Sequence, residues 1–293
     1  METIFTGVAT AVVTPFKKNY EIDYKALKNL IEFNVKNKVK AIVICGTTGE
    51  ASTLTYEERN SVIKFSAEVV GGRVPLVAGV GSNNFQSTIK MMKDVEKFVD
   101  AFLIVTPYYN KTTQEGLKKI YSLYAKNTFK PIIAYNVPGR TGLNMLPQTY
   151  KSLSGKIYGV KEASSDISQL SSSIVLCPKL TFYTGNDDLI LPSLSLGAKG
   201  VISVVSNIIP SEIQSMIEHY FKGKVNVATK EQIKYMPLIK QMFCEVNPIP
   251  VKAAMNMIGF NVGTPRLPLV EMSDNGKERL KKSLTNFGVE VQD

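Results

Sequence analysis

A lysine and a tyrosine that lie near the ends of short apolar runs could together perform carbonyl chemistry. Lys161 is the last residue of the apolar run 157–161, and Tyr135 lies near the end of the run 132–136. Apolar neighbours disfavour the charged form of an amine, and a neutral amine can attack a ketone to form a Schiff base. A phenol beside that Schiff base can carry protons in the later steps. The pair therefore indicates a Schiff-base nucleophile with a proton carrier next to it.

Polar loops elsewhere in the chain offer groups that bind carboxylates. Arg140 lies in the Gly/Pro-rich loop 138–142, and its planar guanidinium can hold a carboxylate with two hydrogen bonds. Thr47 and Thr48 lie in the glycine turn 46–50, where hydroxyls and backbone N–H groups suit a small carboxylate. These loops predict a substrate that carries a carboxylate.

Each of these motifs, taken singly, also has a structural interpretation. Lys161 could pair with Glu162 at a strand end, and Tyr135 could stack at a strand edge. Arg140 could be a solvent-facing charge in its loop. Lys252 is a second candidate nucleophile, although it follows prolines rather than an apolar run. The local sequence leaves these alternatives open.

Histidine and cysteine are too sparse for several other catalytic chemistries. The single histidine, His219, lies in a segment with helical spacing, and we expect it to be structural. The three cysteines are widely separated: Cys45, Cys177 and Cys244. A histidine-rich zinc site, a Ser-His-Asp triad and a disulfide framework are therefore not expected.

The chain also lacks the motifs that hold cofactors. Asp187 and Asp188 are adjacent, so on an extended chain their side chains point apart, which predicts capping or hydrogen bonding rather than a metal pair. The glycines at 79 and 81 lack the third glycine of a dinucleotide loop, and there is no Walker-type loop. We predict an enzyme without a cofactor or a metal.

Composition and charge indicate a globular protein without a membrane or nucleic-acid partner. The 293 residues are 44% hydrophobic, yet no apolar run reaches the roughly 18 residues of a transmembrane helix. The N-terminal segment does not resemble a signal peptide, and the few cysteines suit a reducing compartment, so we expect a cytoplasmic protein. The net charge of +10 is spread along the chain, which favours a solvated lysine-rich surface over a nucleic-acid interface.

Eight short apolar runs alternate with amphipathic stretches and predict the elements that position these groups. Near-continuous hydrophobicity is typical of parallel strands that are covered on both faces. The predicted strands are residues 8–13, 41–45, 76–80, 101–105, 132–136, 157–161, 181–184 and 200–204.

The helices between these strands have recognisable start signals. Asp23 is a predicted N-cap for a helix over 24–36, and Pro210 is a predicted helix start. Capping boxes are predicted for two further pairs: Thr55 with Glu58, and Thr112 with Glu115.

Eight strand–helix units without a break in composition predict a (β/α)8 TIM barrel over residues 1–224. A doubly wound open sheet is the alternative, but the first strand–helix turn lacks the dinucleotide glycine pattern. A C-terminal helical extension is predicted over 225–293, with helices at 229–244, 250–258 and 275–286.

Five segments, in order and at suitable spacing, resemble the dihydrodipicolinate synthase family of pyruvate-dependent class I aldolases. They are GTTGE (46–50), TPYYN (106–110), YNVPGRT (135–141), GVKEA (159–163) and GVIS (200–203). The resemblance runs from about residue 4 to the C-terminus and includes residues 247–252. Each segment alone is a weak signal, whereas five in register are specific.

The resemblance implies a cytoplasmic enzyme of lysine biosynthesis that condenses pyruvate with aspartate semialdehyde. It implies that Lys161 forms the Schiff base with pyruvate. It further implies that the hydroxyls of Thr48, Tyr109 and Tyr135 form a proton relay, with Tyr109 reaching into the neighbouring subunit's site. The family is usually a homotetramer built from tight dimers, and we expect that assembly here.

The resemblance also implies roles in substrate binding. Thr47 and Thr48 would hold the pyruvate carboxylate, and Arg140 would hold the carboxylate of the aldehyde substrate. Gly185 and Ile202 match positions that line the pocket through backbone groups.

One departure from the family concerns inhibition by lysine. Inhibited members bind lysine with histidine and acidic side chains at the dimer interface. Here Ser87 replaces a carboxylate and Arg59 adds positive charge, which should disfavour a cationic ligand. We predict weak or absent inhibition by lysine. The matching positions are Ala51, Tyr56, Arg59, Asn83, Ser87 and Tyr108.

Three other functions are alternatives to the synthase activity that the resemblance implies. An N-acetylneuraminate lyase shares the Schiff-base chemistry, but Arg140 and the paired threonines favour an aldehyde substrate with a carboxylate. A non-catalytic barrel that senses a small acid would have no use for an aligned amine and phenol. A nucleic-acid-binding protein is supported by net charge alone.

Overall fold

The computed structural model describes residues 3–292, and its eight parallel strands close into a barrel in sequence order. β8 pairs with β1, in a register that joins Gly200 to Gly7 and Ser203 to Thr10. The predicted (β/α)8 fold is confirmed. The strands are Gly7–Ala11 (β1), Ala41–Ile44 (β2), Leu76–Gly79 (β3), Ala101–Val105 (β4), Ile132–Asn136 (β5), Gly159–Glu162 (β6), Thr181–Thr184 (β7) and Gly200–Ser203 (β8).

Alternate residues of each strand face two different apolar layers. On β5, Ile133 and Tyr135 belong to the cluster inside the barrel, whereas Ile132 and Ala134 pack in the larger layer between strands and helices. This alternation follows from the two-residue period of an extended chain. It determines which side chains of a strand can reach the interior of the barrel.

Nine helices cover the barrel between and after its strands within the described chain. Both faces of each strand are therefore buried, which explains their near-continuous hydrophobicity. The helices are Tyr24–Lys36 (α1), Tyr56–Val70 (α2), Phe85–Val95 (α3), Gln114–Ala125 (α4), Pro138–Thr141 (α5), Pro147–Leu153 (α6), Ile167–Leu176 (α7), Ile190–Leu196 (α8) and Pro210–Phe221 (α9).

Three of the four predicted helix starts are confirmed. The Asp23 side chain accepts a hydrogen bond from the Ala26 N–H, and α9 begins at Pro210. Thr55 and Glu58 form both hydrogen bonds of a capping box.

The predicted start of α4 is wrong by one residue. Thr113, rather than Thr112, is the N-cap, because its hydroxyl accepts the N–H of Gly116 at 3.2 Å. Two adjacent threonines carry the same capping signal, and only the path of the backbone selects one of them.

The extension consists of Val225–Gln241 (α10), Ile249–Met257 (α11) and Asp274–Phe287 (α12). α10 packs against both α9 and α12, and α11 packs against α12. The prediction placed the first of these helices too late, at 229–244. None of the helices within residues 3–292 is long and apolar enough to cross a membrane.

Three predicted strands, β2, β3 and β8, extend one residue too far, and two others need a larger correction. β1 ends at Ala11 rather than at residue 13, and β6 covers Gly159–Glu162 rather than 157–161. Lys161 therefore lies within a strand, with Glu162 still paired to β7, instead of at the strand end. Apolar character continues beyond the ladder at one end, so hydrophobicity alone overestimates the strand.

Candidate active site

The Lys161 amine and the Tyr135 phenol face the same space inside the barrel. The two residues are directly paired in the β5–β6 register, and paired residues of neighbouring strands point to the same face. Nζ of Lys161 lies 4.4 Å from the centroid of the Tyr135 ring. Lys161 is only 6% exposed and has no hydrogen bond or ion pair with other described residues. Its amine is therefore free of protein partners and close to a phenol.

Glu162 does not pair with Lys161, so the structural interpretation of Lys161 as an ion-pair lysine is wrong. The Glu162 carboxylate lies on the opposite face of β6. Its neutral donors are the side chains of Asn136 (2.9 Å), Tyr150 (2.8 Å) and Gln169 (3.3 Å) and the N–H of Ser164 (3.0 Å). Burial and this neighbouring carboxylate raise the pKa of Tyr150 well above its usual range. These hydrogen bonds hold the ends of β5 and β6 together on their outer face. Lys161 takes no part in them, and its side chain points into the barrel.

Gly185 and Ile202 lie next to this pair. A Cβ on Gly185 would be 2.8 Å from Cε of Lys161, so the lysine stem uses space that only a glycine leaves open. Ile202 belongs to the same inner cluster as Tyr135. Both residues thus lie in the part of the barrel that contains Lys161.

Thr48 and Arg140 are joined through a residue of the extension. The Nδ2 group of Asn247 donates to the Thr48 hydroxyl at 3.1 Å, and Nη2 of Arg140 donates to the carbonyl oxygen of Asn247 at 3.0 Å. Asn247 lies in the segment 247–252 that resembles the family, but no role is predicted for it from the sequence. No local pattern indicates that an asparagine about 200 residues after Thr48 contacts it.

A cavity of about 540 Å³ opens at this end of the barrel. Tyr109 lies at its rim, 93% exposed and with a φ of +65°, a left-handed backbone that is strained for a tyrosine. Its hydroxyl has no hydrogen bond to the other described residues. The cavity brings together Thr47, Tyr109, Tyr135 and Arg140 with Ala51, Arg59 and Tyr108.

Lys252, the second candidate nucleophile, is already paired. It is 1% exposed, and its Nζ lies 2.6 Å from the Glu50 carboxylate and 4.2 Å from the centroid of the Phe16 ring. Burial lowers the pKa of Lys252 to about 8, against the opposing effect of Glu50. The pair belongs to the packing of the extension rather than to the cavity.

The histidine and the cysteines supply no reactive group to the candidate site. Nδ1 of His219 lies 2.9 Å from Glu231, and the two residues join α9 to α10, as expected for a structural histidine. Burial raises the pKa of the Cys45 thiol to about 12. No group of three histidine, cysteine or acidic residues suited to a metal occurs in the part of the chain that the structure describes.

An amine beside a phenol, inside one end of a (β/α)8 barrel, is characteristic of aldolases that act through a lysine Schiff base. The chain belongs to the dihydrodipicolinate synthetase family, whose model matches residues 4–287. The predicted family and enzyme class are confirmed.

Known members of the family match the chain over nearly its whole length. The 4-hydroxy-tetrahydrodipicolinate synthase of Caldicellulosiruptor saccharolyticus is 47% identical and covers 99% of both chains. That of Thermoanaerobacter pseudethanolicus is 48% identical over 98% of both chains. The crystal structure of dihydrodipicolinate synthase from Thermotoga maritima matches with a TM-score of 0.96 at 40% identity, over 98% of this chain and 100% of that one.

Proposed function

We propose that the chain condenses pyruvate with L-aspartate 4-semialdehyde to give 4-hydroxy-tetrahydrodipicolinate, a step of lysine biosynthesis through diaminopimelate. The observation that carries the proposal is the register pairing of Lys161 with Tyr135 inside the barrel. The full-length relatives, which are named for the synthesis of this product, support it.

In this reaction the neutral amine of Lys161 attacks the ketone carbon of pyruvate. The carbinolamine takes up a proton and loses water to give a protonated imine. Loss of a methyl proton then produces an enamine, whose carbon forms a bond to the aldehyde carbon of the second substrate. The Tyr135 hydroxyl carries protons between these steps, because it belongs to the ring beside the amine.

The other predicted residues complete the site in this proposal. Thr47 and Thr48 hold the pyruvate carboxylate, and Arg140, which lines the cavity together with Thr47, holds the carboxylate of the aldehyde. Thr48 and Tyr109 extend the proton relay from Tyr135. Gly185 and Ile202 shape the pocket beside the lysine.

The proposed assembly is a cytoplasmic homotetramer built from tight dimers, in which Tyr109 enters the partner's site. The high exposure of Tyr109 in the single chain supports this proposal, since a relay residue needs a partner to cover it. Sedimentation velocity tests the assembly. A Tyr109→Phe variant that stays tetrameric but loses turnover is the expected result, and a fully active monomer would overturn it.

Trapping with borohydride and pyruvate tests the Schiff base. Reduction of the wild-type adduct should add one pyruvyl group, which peptide mapping should place on Lys161. Lys161→Ala should trap nothing and lose turnover by several orders of magnitude, whereas the exposed-lysine control Lys230→Ala should behave as wild type. If folded wild-type protein forms no adduct, a non-catalytic sensor of small acids becomes the better interpretation.

The identity of the aldehyde substrate is tested in a separate experiment. With pyruvate, L-aspartate 4-semialdehyde should be consumed, and Arg140→Ala should raise its KM more than the KM of pyruvate. Cleavage of sialic acid at a comparable rate would instead indicate the N-acetylneuraminate lyase activity.

Lysine should inhibit this enzyme weakly or not at all. Arg59 lines the cavity and has no acidic partner in the described chain, since its Nη2 donates to the carbonyl oxygen of Gly79. The Asn83 amide is already used by the backbone of Tyr108. A cationic ligand would therefore meet an uncompensated guanidinium. Half-maximal inhibition at micromolar lysine would contradict this prediction.

A further inference from the structure

Asp187 is a buried carboxylate at the catalytic end of the barrel that the proposed chemistry leaves unused. It follows β7 and is 0% exposed. Its Oδ2 accepts hydrogen bonds from the backbone N–H groups of Val204 and Val205, both at 3.0 Å. Its Oδ1 is buried without a hydrogen-bond partner. An oxygen left in this state is costly, so the carboxylate calls for a compensating positive charge.

Lys161 is positioned to supply that charge. β6 and β7 are adjacent, and the lysine stem passes over Gly185, two residues before Asp187. Burial raises the pKa of Asp187. Hydrogen bonds from the Ser203 side chain and from the backbone of Val205 and Val204 oppose that effect, as does the charge of Lys161, which contributes least. Among residues 3–292, neither side chain forms a salt bridge with any other group.

Two neighbouring carboxylates are less suited to this role. Glu162 accepts four hydrogen bonds from neutral donors on the outer face of β6, so its charge is already solvated by the protein. Asp188 is exposed, and water screens its charge. Asp187 alone of the three is fully buried, follows the strand next to that of Lys161 and has an oxygen without a hydrogen bond.

We propose that Asp187 is the counter-charge of Lys161 and stabilises the cationic imine that forms on it. The inference rests on the proposed function. When the neutral amine and the ketone condense, one proton is taken up and one water leaves, so a neutral side chain becomes a cation. A fixed anion in a buried site favours that product over the free amine. Asp187 acts through Lys161 and is therefore a positioning residue.

The Asp187→Asn variant removes the charge and keeps the shape. The amide oxygen can accept both backbone N–H groups, and the amide nitrogen replaces the oxygen that has no partner. We expect the pyruvate concentration for half-maximal borohydride trapping to rise about tenfold or more, with the thermal midpoint changing little. Asp188→Asn, the same charge change at the adjacent exposed residue, should trap pyruvate as wild type does.

The outcomes separate this inference from the proposed function. If the wild type traps no pyruvate, the proposed function fails. If the wild type traps it and Asp187→Asn traps it equally well, or if Asp188→Asn is impaired as much, only the role of Asp187 is overturned. Should Asp187→Asn not fold, isotope-edited infrared spectra of the wild-type adduct with labelled aspartate replace it. A buried aspartate that is ionised in the adduct supports the counter-charge, and a protonated one overturns it.

Discussion

At the scale of single residues, the candidate site depends on an amine that has no hydrogen bond or ion pair with other residues of the described chain. Lys161 contacts the Tyr135 ring, and no described acidic group neutralises its amine directly. A group that must react with a substrate cannot be committed to a strong contact in the resting protein. The unpaired state of Lys161 is thus consistent with a nucleophile.

Replacing Tyr135 by phenylalanine tests the phenol separately from the ring. Tyr135→Phe keeps the contact with Lys161 but removes the hydroxyl, so kcat should fall about 10²- to 10⁴-fold, the usual contribution of a general acid–base group. The thermal midpoint should stay close to that of the wild type. Steady-state kinetics on Tyr135→Phe, with Tyr20→Phe as an exposed control, measure the effect. An unchanged kcat would remove Tyr135 from the relay.

At the scale of elements, the extension is held to the turn 46–50 by buried polar contacts. Lys252 of α11 pairs with Glu50, whose second oxygen accepts the N–H of Arg266 at 2.9 Å. The Asn247 amide reaches Thr48 in the same turn. The helices after the barrel therefore help to shape the site that the barrel strands carry.

Breaking the Lys252–Glu50 pair should be costly. Lys252→Ala leaves the Glu50 carboxylate buried without its cation, and we expect a loss of about 3–5 kcal/mol in the free energy of unfolding. The double variant Lys252→Met with Glu50→Gln should recover part of that loss. Denaturant unfolding measures both, with Lys230→Ala on an exposed face of α10 as the control. A loss below about 1 kcal/mol, as is typical of a surface pair, would show that the pair is not effectively buried.

The contact between Glu58 and Arg266 should make the free energy of unfolding depend on pH in the acid range. Hydrogen bonds from Arg266 lower the pKa of the Glu58 carboxyl below its ordinary 4.5. Because the folded pKa is lower, the stabilisation is present above pH 4.5 and is lost as the pH falls through the lowered value. Glu58→Gln keeps a side chain that can cap α2 but removes this linkage.

Unfolding curves over the acid range should therefore be less pH-dependent for Glu58→Gln than for the wild type. Glu57→Gln, at an exposed position of the same helix, should keep the wild-type dependence. If the free energy of unfolding changes with pH in the same way for the wild type and Glu58→Gln, the proposed link between Glu58 ionisation and stability is contradicted.

At the scale of the whole molecule, the barrel and the extension should fold as one unit. A protein truncated after residue 224 loses Lys252 and Arg266, the partners of Glu50, and Asn247, which donates to Thr48. We expect this fragment to be insoluble or to lack a cooperative thermal transition. Circular dichroism and trapping with pyruvate test it. A cooperative fragment that still forms the adduct would establish 1–224 as an independent domain.

The periodic pattern of the sequence predicted the barrel and most helix starts, because burial on both faces and capping are local properties. Asp23 and the Thr55–Glu58 box lie next to the backbone groups that they satisfy. The start of α4 was wrong because Thr112 and Thr113 have the same local chemistry.

Local sequence limited the candidate nucleophiles to Lys161 and Lys252 and favoured Lys161, because Lys161 ends a strand-like run whereas Lys252 follows prolines. Only the folded chain pairs Lys252 with Glu50 and leaves the Lys161 amine beside Tyr135. Strand register aligns Lys161 with Tyr135, and the pairing of β6 with β7 places the lysine stem against Gly185, two residues before Asp187. Asn247 reaches Thr48 only because the extension folds back over the barrel. Contacts between residues far apart in the chain depend on packing geometry, and a local pattern contains no information about that geometry.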